Sequence, residues 1–565
     1  MSLFGILNIG SSALAAQQAA LAVTGNNLSN AADPNYTREV AVSSPGADSN
    51  GTGGLLVGSG VNITSIQRQV DQALNERIRS SNSDQSSANT QQTWAGQVQS
   101  VFNALSGNGL SDQLNTFFND WSTLANNPAS AGQRQVVVQD GQNVAQNLNS
   151  LSSNLTDLGT TLVQSVSQGV QQVNQLTTQI ATLNQQIVTA SNGGAQQPNS
   201  LLDQRDTALS QLSKLVNIQT TTQPSGSVTV YLGSEAIVDG NNSQALTATT
   251  AQNNDHADAV VNFQTDGSTA NITGGSIGGL FQSQQLIDST SDSVNSLANS
   301  VISSVNKIYS SGQGLEGYTT ANGTNAVADA TQPLDSAAAD LANPPVSGSF
   351  VIHVNNTQTG LSTSSLIQVT ANGTSTGTSL NSLAASLNGV SGVQATITDG
   401  KLNIASTAPG TQITFSQDTS GVLSSLGINT FFSGNSAATI SVNSQAAANP
   451  SLLAAASNGN PDDNTAALAI ANLNNAPQAA LNGTSLSDSY ATLVQTVGSA
   501  ASGATSDAAA ATNVQQTLTA QQQALGGVST DEEALNMIIE QRTYQGAAQL
   551  ITIVNQMMQA LLAIT

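Results

Sequence analysis

Residues able to attack a bond, carry a proton or hold a metal are few in this chain, and they are poorly placed to act together. Cysteine is absent, which removes the thiolate nucleophile, the disulfide framework and the thiolate metal site. The two histidines are His256, in 255-DHAD-258, and His353, in a strand-like run; both are expected to face solvent or to be satisfied locally. The glycine-rich pieces 51-GTGG-54 and 274-GGSIGG-279 lack the Lys-Ser/Thr of a phosphate loop and the strand-helix frame of a dinucleotide site, so they read as turns. Asp203, Arg205 and Asp206, in 201-LLDQRD-206, can form a buried ion pair with a structural role. Nothing in the sequence assembles a nucleophile, a base and oxyanion donors. The expectation is a protein that is not an enzyme, with no catalytic residue, no cofactor and no metal.

The stronger pattern is helical and sits at the two ends. Phe4, Leu7, Leu14, Leu21 and Leu28 fall on one 3-4 spacing with Ser11, Gln18 and Gly25 between them, which is the spacing of a coiled-coil seam. At the far end Ala534, Ile538, Gln541, Ala548, Ile551, Asn555, Met558 and Leu562 repeat it. Leu535, Ile539, Leu550, Val554, Met557 and Leu561 form a second stripe beside it. A helix apolar on two faces packs on more than one neighbour. The N-terminal helix is one candidate neighbour, and equivalent helices of other copies are the rest. The expected assembly seam is therefore Leu7, Leu14, Leu21, Leu28, Ile538, Ile551, Met558 and Leu562.

Between these ends lie too many residues for one core, since 565 residues imply two to four domains. Charged residues make up 8% and aromatics 3%, so the cores are expected to be thin and the molecule elongated. With 33 acidic and 10 basic residues the formal charge is -23; nucleic acid is excluded as a partner, because phosphate binding needs clustered Lys and Arg. No run approaches 18 consecutive apolar residues, so membrane insertion is not expected. The first basic residue is Arg38, which leaves no basic n-region for a Sec signal peptide.

Short alternations at Leu55/Val57 and Val61/Ile63 predict strands, and helical text runs from Gln67 to about Ala125 with a break at 106-SGNG-109. Near-3.5 spacing from about Ala131 to Ala190 predicts a long rod-like hairpin or bundle. After 191-SNGGAQQPNS-200 come a short helix, a hairpin at 228-VTVYLGSEAIVDG-240 and a helix over about Ser283 to Tyr309. From Tyr318 to Val442 the text turns Thr, Ser, Asn and Gly rich, with strands and one helix at 380-LNSLAASLNGV-390. The fold class is multidomain α+β: a terminal α-helical coiled coil (1-66 with 526-565), a long-helix domain with a β-hairpin region (67-317 with 443-525), and an inserted mainly-β domain (318-442).

The segment 14-LAAQQAALAVTGNNLSNAADPNYTRE-39 resembles the N-terminal signature shared by bacterial flagellar rod, hook and hook-associated proteins, carried here by Asn26, Asn27 and Tyr36. The segment 527-GVSTDEEALNMIIEQRTYQGAAQLITIVNQMMQALL-562 is similar to the matching C-terminal end, with Asp531, Glu532, Glu533, Gln541 and Tyr544 where that pattern has them. Ser529 and Glu532 also read as a capping box, and the acidic run suits a helix N-terminus. The turn Asp33-Pro34-Asn35-Tyr36, which reads as a type I turn with Pro at its second position, replaces the usual Thr-Pro-Gly-Tyr, with Asn35 expected to be able to take a glycine's positive φ. Blocks 201-240, 274-317 and 425-456 resemble the junction proteins between hook and filament more than hook protein or flagellin; residues 319 to 410 show a looser likeness.

The resemblance implies a structural component of the extracellular flagellum, exported without a Sec leader and polymerising at the hook-filament junction. Its implied partners are itself in a ring or helical zone, hook protein, the next hook-associated junction protein, and an export chaperone on the C-terminal helix. A rival reading is a secreted adhesin or enzyme that uses an axial-type stem and keeps its activity in the β insert.

Overall fold

The computed structural model describes residues 3–50, 56–103, 109–191, 197–253, 256–374 and 376–564. The 51-GTGG-54 turn, Leu55, Asp255 and parts of the breaks at 106-SGNG-109 and 191-SNGGAQQPNS-200 lie outside the described residues. The helices are α1 (Leu3–Ser29), α2 (Gln72–Asn103), α3 (Leu110–Asn126), α4 (Ala131–Ala190), α5 (Asn199–Leu215), α6 (Gly275–Tyr309), α7 (Leu380–Asn388), α8 (Val422–Ser425), α9 (Ser444–Ala448), α10 (Thr465–Ala471), α11 (Leu486–Gly526) and α12 (Thr530–Ile564). Small antiparallel sheets complete a mixed helix-and-sheet fold. The chain divides into two compact units, one of residues 1–94, 161–284 and 502–565, the other of 95–160 and 285–501.

In the first unit the chain leaves α1 through a turn in which Tyr36 N–H donates to Asp33 O at 3.2 Å and Asn35 N–H to the Asp33 carboxylate at 2.9 Å. Asn35 is not among the residues of positive φ. The expected use of Asn35 as a glycine substitute is therefore corrected: Pro34 at the second position and an Asx bond from Asp33 make a turn that needs no left-handed residue. The chain then enters a strand the sequence reading did not anticipate, Glu39–Pro45, paired antiparallel with Val61–Arg68 from Glu39 opposite Arg68 to Pro45 opposite Val61. A register shift at Val42/Ser43 marks a bulge.

The stretch from Ala131 to Ala190 is one helix of 60 residues, not a hairpin. It contains no proline and its isolated glycines do not break it, while Val144, Leu148, Leu151, Leu155, Leu162, Val166, Val170 and Val173 maintain a continuous buried face. Asparagines on α4 hold the neighbouring strands by imitating a strand edge. Asn184 donates to Val228 O (2.7 Å) and Gly240 O (2.9 Å) and accepts from Val228 N–H (3.0 Å). Asn174 does the same for both backbone groups of Leu246, each at 2.8 Å. The Asn184 bonds fix the four-stranded sheet of 218–222, 228–232, 235–239 and 242–243 and the Asn174 bonds the separate two-stranded sheet of 246–253 and 256–263, and both satisfy backbone groups that would otherwise be unpaired.

The second unit has two cores. Leu110, Leu114, Phe117, Phe118, Trp121 and Leu124 line one face of α3, and Phe117, Trp121, Tyr309, Phe431 and Phe432 interlock with ring centroids 4.7 to 6.3 Å apart, the spacing of edge and tilted aromatic pairs. Arg134, only 1% exposed, donates to Pro128 O, Pro450 O and Leu453 O, so its buried charge rests on backbone carbonyls. The β-rich core joins the sheet 362–369/348–356/411–416 and the sheet 320–322/401–406/393–398 with α7, which Ser379 and Ser382 cap reciprocally.

Candidate functional site

α1 and α12 pair antiparallel, and the contacts along them run in opposite numerical order. Gly10 lies against Ile551, Gln18 Nε2 donates to the Tyr544 hydroxyl at 3.5 Å, Thr24 Oγ1 to Glu540 at 3.0 Å, and Asn27 Nδ2 to Glu533 at 3.1 Å. A Cβ at Gly10 would stand 2.9 Å from Ile551 Cγ1, so the close approach depends on glycine there. The shielded face of α12 is Glu533, Met537, Glu540, Tyr544, Ala547, Ile551, Val554 and Met558, an unbroken 3-4 ladder. It includes two carboxylates and a phenol, which a search for apolar spacing passes over.

The sequence-derived seam residues distribute unevenly around this ladder. Leu7, Leu14 and Leu21 are half-buried on α1, and Ile551 and Met558 belong to the shielded face of α12. Leu28, Ile538 and Leu562 are exposed, at 36%, 51% and 74%. Leu535, Ile539, Ile553, Met557 and Leu561, each more than half exposed, leave α12 with a second apolar face that α1 does not cover. By length and composition α1, with mean hydropathy 1.3, is also apolar enough to cross a bilayer, a property that counting consecutive apolar residues did not register. Its buried Thr24 and Asn27, bonded to carboxylates of α12, instead fit a seam between protein helices.

At the foot of the helix pair the signature residues converge. Asn27 is 1% exposed and fully engaged: its Nδ2 donates to Glu533 and, at 2.9 Å, to Glu39 O, while its Oδ1 accepts from Glu39 N–H (3.0 Å) and the Tyr36 hydroxyl (2.8 Å). Asn26 Nδ2 donates to the same hydroxyl at 3.2 Å. Burial, then Glu39 and Asp203, push the Tyr36 phenol well above its usual range, so it remains a donor. Glu533, 1% exposed, is held by Arg38 Nε at 2.7 Å. Arg38 N–H donates to Gly526 O and Gln69 N–H to Arg38 O, both at 2.9 Å, so one residue ties the N-terminal turn to the ends of α2 and α11. Burial also raises the Glu540 carboxyl, helped by Glu533 and opposed by the Thr24 hydrogen bond.

Of the other signature residues, Asp531 and Glu532 lie exposed in the first turn of α12, where acidic side chains favour the positive end of the helix dipole. Glu532 N–H reaches Ser529 Oγ at 3.5 Å, the Ser half of the expected capping box. Gln541 is exposed. Arg38, Thr24 and Glu540 were not singled out by the sequence; the seven-residue interval from Glu533 to Glu540 was the signal available.

The expected ion pair within 201-LLDQRD-206 is corrected. Arg68 Nη1 bridges Asp203 and Asp206 at 2.7 and 2.8 Å. Burial works against that guanidinium, yet the two carboxylates raise its pKa overall. Arg205 donates instead to Asn184 Oδ1 (3.2 Å) and Gly226 O (2.7 Å), because positions one and two apart on a helix do not face each other. Asp203 also accepts from Thr37 Oγ1 at 2.8 Å, attaching the N-terminal turn to α5. His353 is satisfied locally by Ser364 (2.7 Å) and Ser416 (2.8 Å), and burial lowers its pKa. His256 lies in the strand His256–Phe263. Among the described residues no group of His, Asp and Glu is arranged to hold a metal ion.

Three family models match the chain: the flagellar basal body rod protein over residues 7–37, the helical domain of flagellar hook-associated protein FlgK over 95–325, and the C-terminal region of flagellar basal body rod FlgEFG proteins over 521–564. Flagellar hook-associated protein 1 of Escherichia coli K12 is 24% identical, and that of Salmonella typhimurium LT2 26% identical, each over 99% of both chains. The solved flagellar hook junction protein FlgK of Burkholderia pseudomallei, at 18% identity and a TM-score of 0.50, covers 79% of this chain and 99% of its own, a likeness of fold. Paired terminal helices that match flagellar rod-protein models at both ends liken the chain to the flagellar axial proteins, a structural class. Within that class, the likeness that runs the full length of the chain is to flagellar hook-associated protein 1, and the helical-domain model of that protein matches its middle. It is a structural protein of the hook-filament junction.

Proposed function

We propose that the chain polymerises through its terminal helices to form the short zone joining hook to filament, and that its work is mechanical and involves no catalysis. The observation that carries the assembly mechanism is the second apolar face of α12, from Leu535 through Ile539, Ile553 and Met557 to Leu561, which stays open after α1 has taken the first. Large apolar side chains left exposed along one helix face mark an interaction site, and copies of the same pair are its natural cover. In this reading residues 1-66 with 526-565 form the assembly domain and inner coiled-coil tube, 67-317 with 443-525 the load-bearing middle layer, and 318-442 the outer surface. Leu7, Leu14, Leu21, Leu28, Ile538, Ile551, Met558 and Leu562 contribute to the intra- and intermolecular seams. The chain leaves the cell unfolded through the flagellar export channel, while a chaperone holds α12. Hook protein lies on the proximal side and the next hook-associated protein on the distal side.

The test is the pair Ile539→Asp and Met557→Asp in one chain. Both side chains are about half exposed, 53% and 51%, so the monomer's melting temperature should be unchanged within about 0.5 kcal/mol of stability. Returned to a strain lacking its own junction protein, the variant should give hooks without filaments, flagellin in the medium and no swimming. Full swimming would show that this face is not the assembly surface.

A further inference from the structure

Three of the chain's ten basic residues line one cavity of about 420 Å³ in the first unit: Arg68 from the strand Val61–Arg68, Arg79 from α2 and Arg205 from α5. Arg68 is occupied, bridging Asp203 and Asp206. The other two make no ion pair among the described residues. Arg79 donates to the Thr220 hydroxyl at 3.0 Å, and Arg205 to Asn184 Oδ1 and Gly226 O, all neutral acceptors. Arg205 is 5% exposed, and its Nε has no hydrogen-bond partner. Of the lining carboxylates, Asp206 is committed to Arg68, and Glu76 lies exposed at the rim. Burial and the neighbouring Arg68 and Arg79 lower the Arg205 guanidinium to about 10, and burial lowers Arg79 as well. An incoming anion would relieve the crowded positive charge.

We propose that this cavity is an anion site that receives a carboxylate side chain from a second copy of the chain. Planar guanidinium donors suit a carboxylate, and charge complementarity selects the partner: a chain with 33 acidic and 10 basic residues gathers three of the ten here and presents an acidic surface elsewhere. The inference rests on the assembly reading above, and its test separates the two.

The full-length chain carrying Arg79→Lys, mixed as isotopically heavy and light copies, is assembled on hooks and treated with a zero-length carbodiimide. Only three lysines exist in the native sequence, so the new amine is readily tracked by mass spectrometry. The expected product is an amide from position 79 to an Asp or Glu of the other isotope, present in assembled material and absent from monomer. Links confined to Glu76 or Asp206 of the same copy, in material that has assembled, would overturn the proposal. Failure to assemble with Arg79→Lys, where the native chain does assemble, would support it; failure of the native chain to assemble would count against the assembly reading on which it rests. A second arm titrates the native monomer and Arg79→Gln with sulfate at constant ionic strength, using calorimetry. Binding weakened at least tenfold by Arg79→Gln supports the anion site. Sulfate binding equal in the two proteins overturns it, and so does sulfate binding with no cross-link between copies, which would mark a site for free anions only.

Discussion

Glu533 keeps a carboxylate almost entirely out of water, and that is tolerable only because Arg38 and Asn27 meet its two oxygens. Breaking such a pair by removing one partner strands the other charge. Arg38→Ala should therefore cost about 3 kcal/mol, expressed as loss of amide protection in α12 and at the end of α1. Tyr36→Phe keeps the ring but removes the hydroxyl shared by Asn26 and Asn27, leaving Asn27 Oδ1 with one acceptor bond fewer, and should cost about 1 kcal/mol. Hydrogen exchange followed by mass spectrometry reads both. Protection of α12 unchanged in Arg38→Ala would mean that helix packing alone fixes the pair. Asn27, Tyr36 and Glu533 were recognisable in the sequence as signature letters, but nothing in it said that they touch. Their meeting depends on the turn at Asp33-Pro34 and on a strand whose Glu39 backbone supplies two of the bonds.

At the level of elements, α3 and α4 bring two carboxyl groups together near their junction. The Asp140 carboxyl is raised from 3.8 to about 6, by burial first and then by Asp120, while Gln133 donates to Asp120 at 3.3 Å and Asn143 to Asp140 at 3.2 Å. A carboxyl that binds its proton more tightly when folded gains stability as pH falls through about 6 toward 3.8, and that gain is absent at pH 7.5. Asp140→Asn should raise the melting temperature at pH 7.5 and flatten its dependence on pH between about 7 and 4. An unaltered pH profile would remove the pair from the account. The helices themselves were legible, because Leu148, Leu155, Leu162 and Val166 keep helical spacing. The strand Glu39–Pro45 was not: its burial pattern, half-buried for the first four residues, lacks the alternation that identifies a strand. The shielded ladder of α12, from Glu533 to Met558, escaped for a related reason, since polar residues at seam positions are invisible to a search for apolar periodicity.

For the molecule as a whole, the β-rich core invites excision, and the structure says where the cut should fall. Apart from Leu452, every buried residue of that core lies between Tyr318 and Ile428. Immediately beyond it Asn429, at positive φ and 4% exposed, donates from Nδ2 to Tyr309 O, Ser310 O and Gly312 O at 3.4, 3.0 and 3.0 Å, fastening the returning chain to the end of α6. Phe431 and Phe432 then enter the aromatic cluster with Phe117. Removing residues 318–426 with a short Gly/Ser joint should leave that cluster and the helical circular dichroism intact, with one cooperative melt retained in the second unit. Extending the deletion to Val442 takes away Asn429 and both phenylalanines, and losing a buried Phe costs about 3–5 kcal/mol, enough for two to exhaust the stability of a typical domain. The longer deletion should therefore lose the cooperative melt and expose Trp121 to solvent, seen as a red shift of its fluorescence. Equal melting of the two deletions would show that the helices hold together without the aromatic cluster, and that the end of the insert lies at Val442 after all.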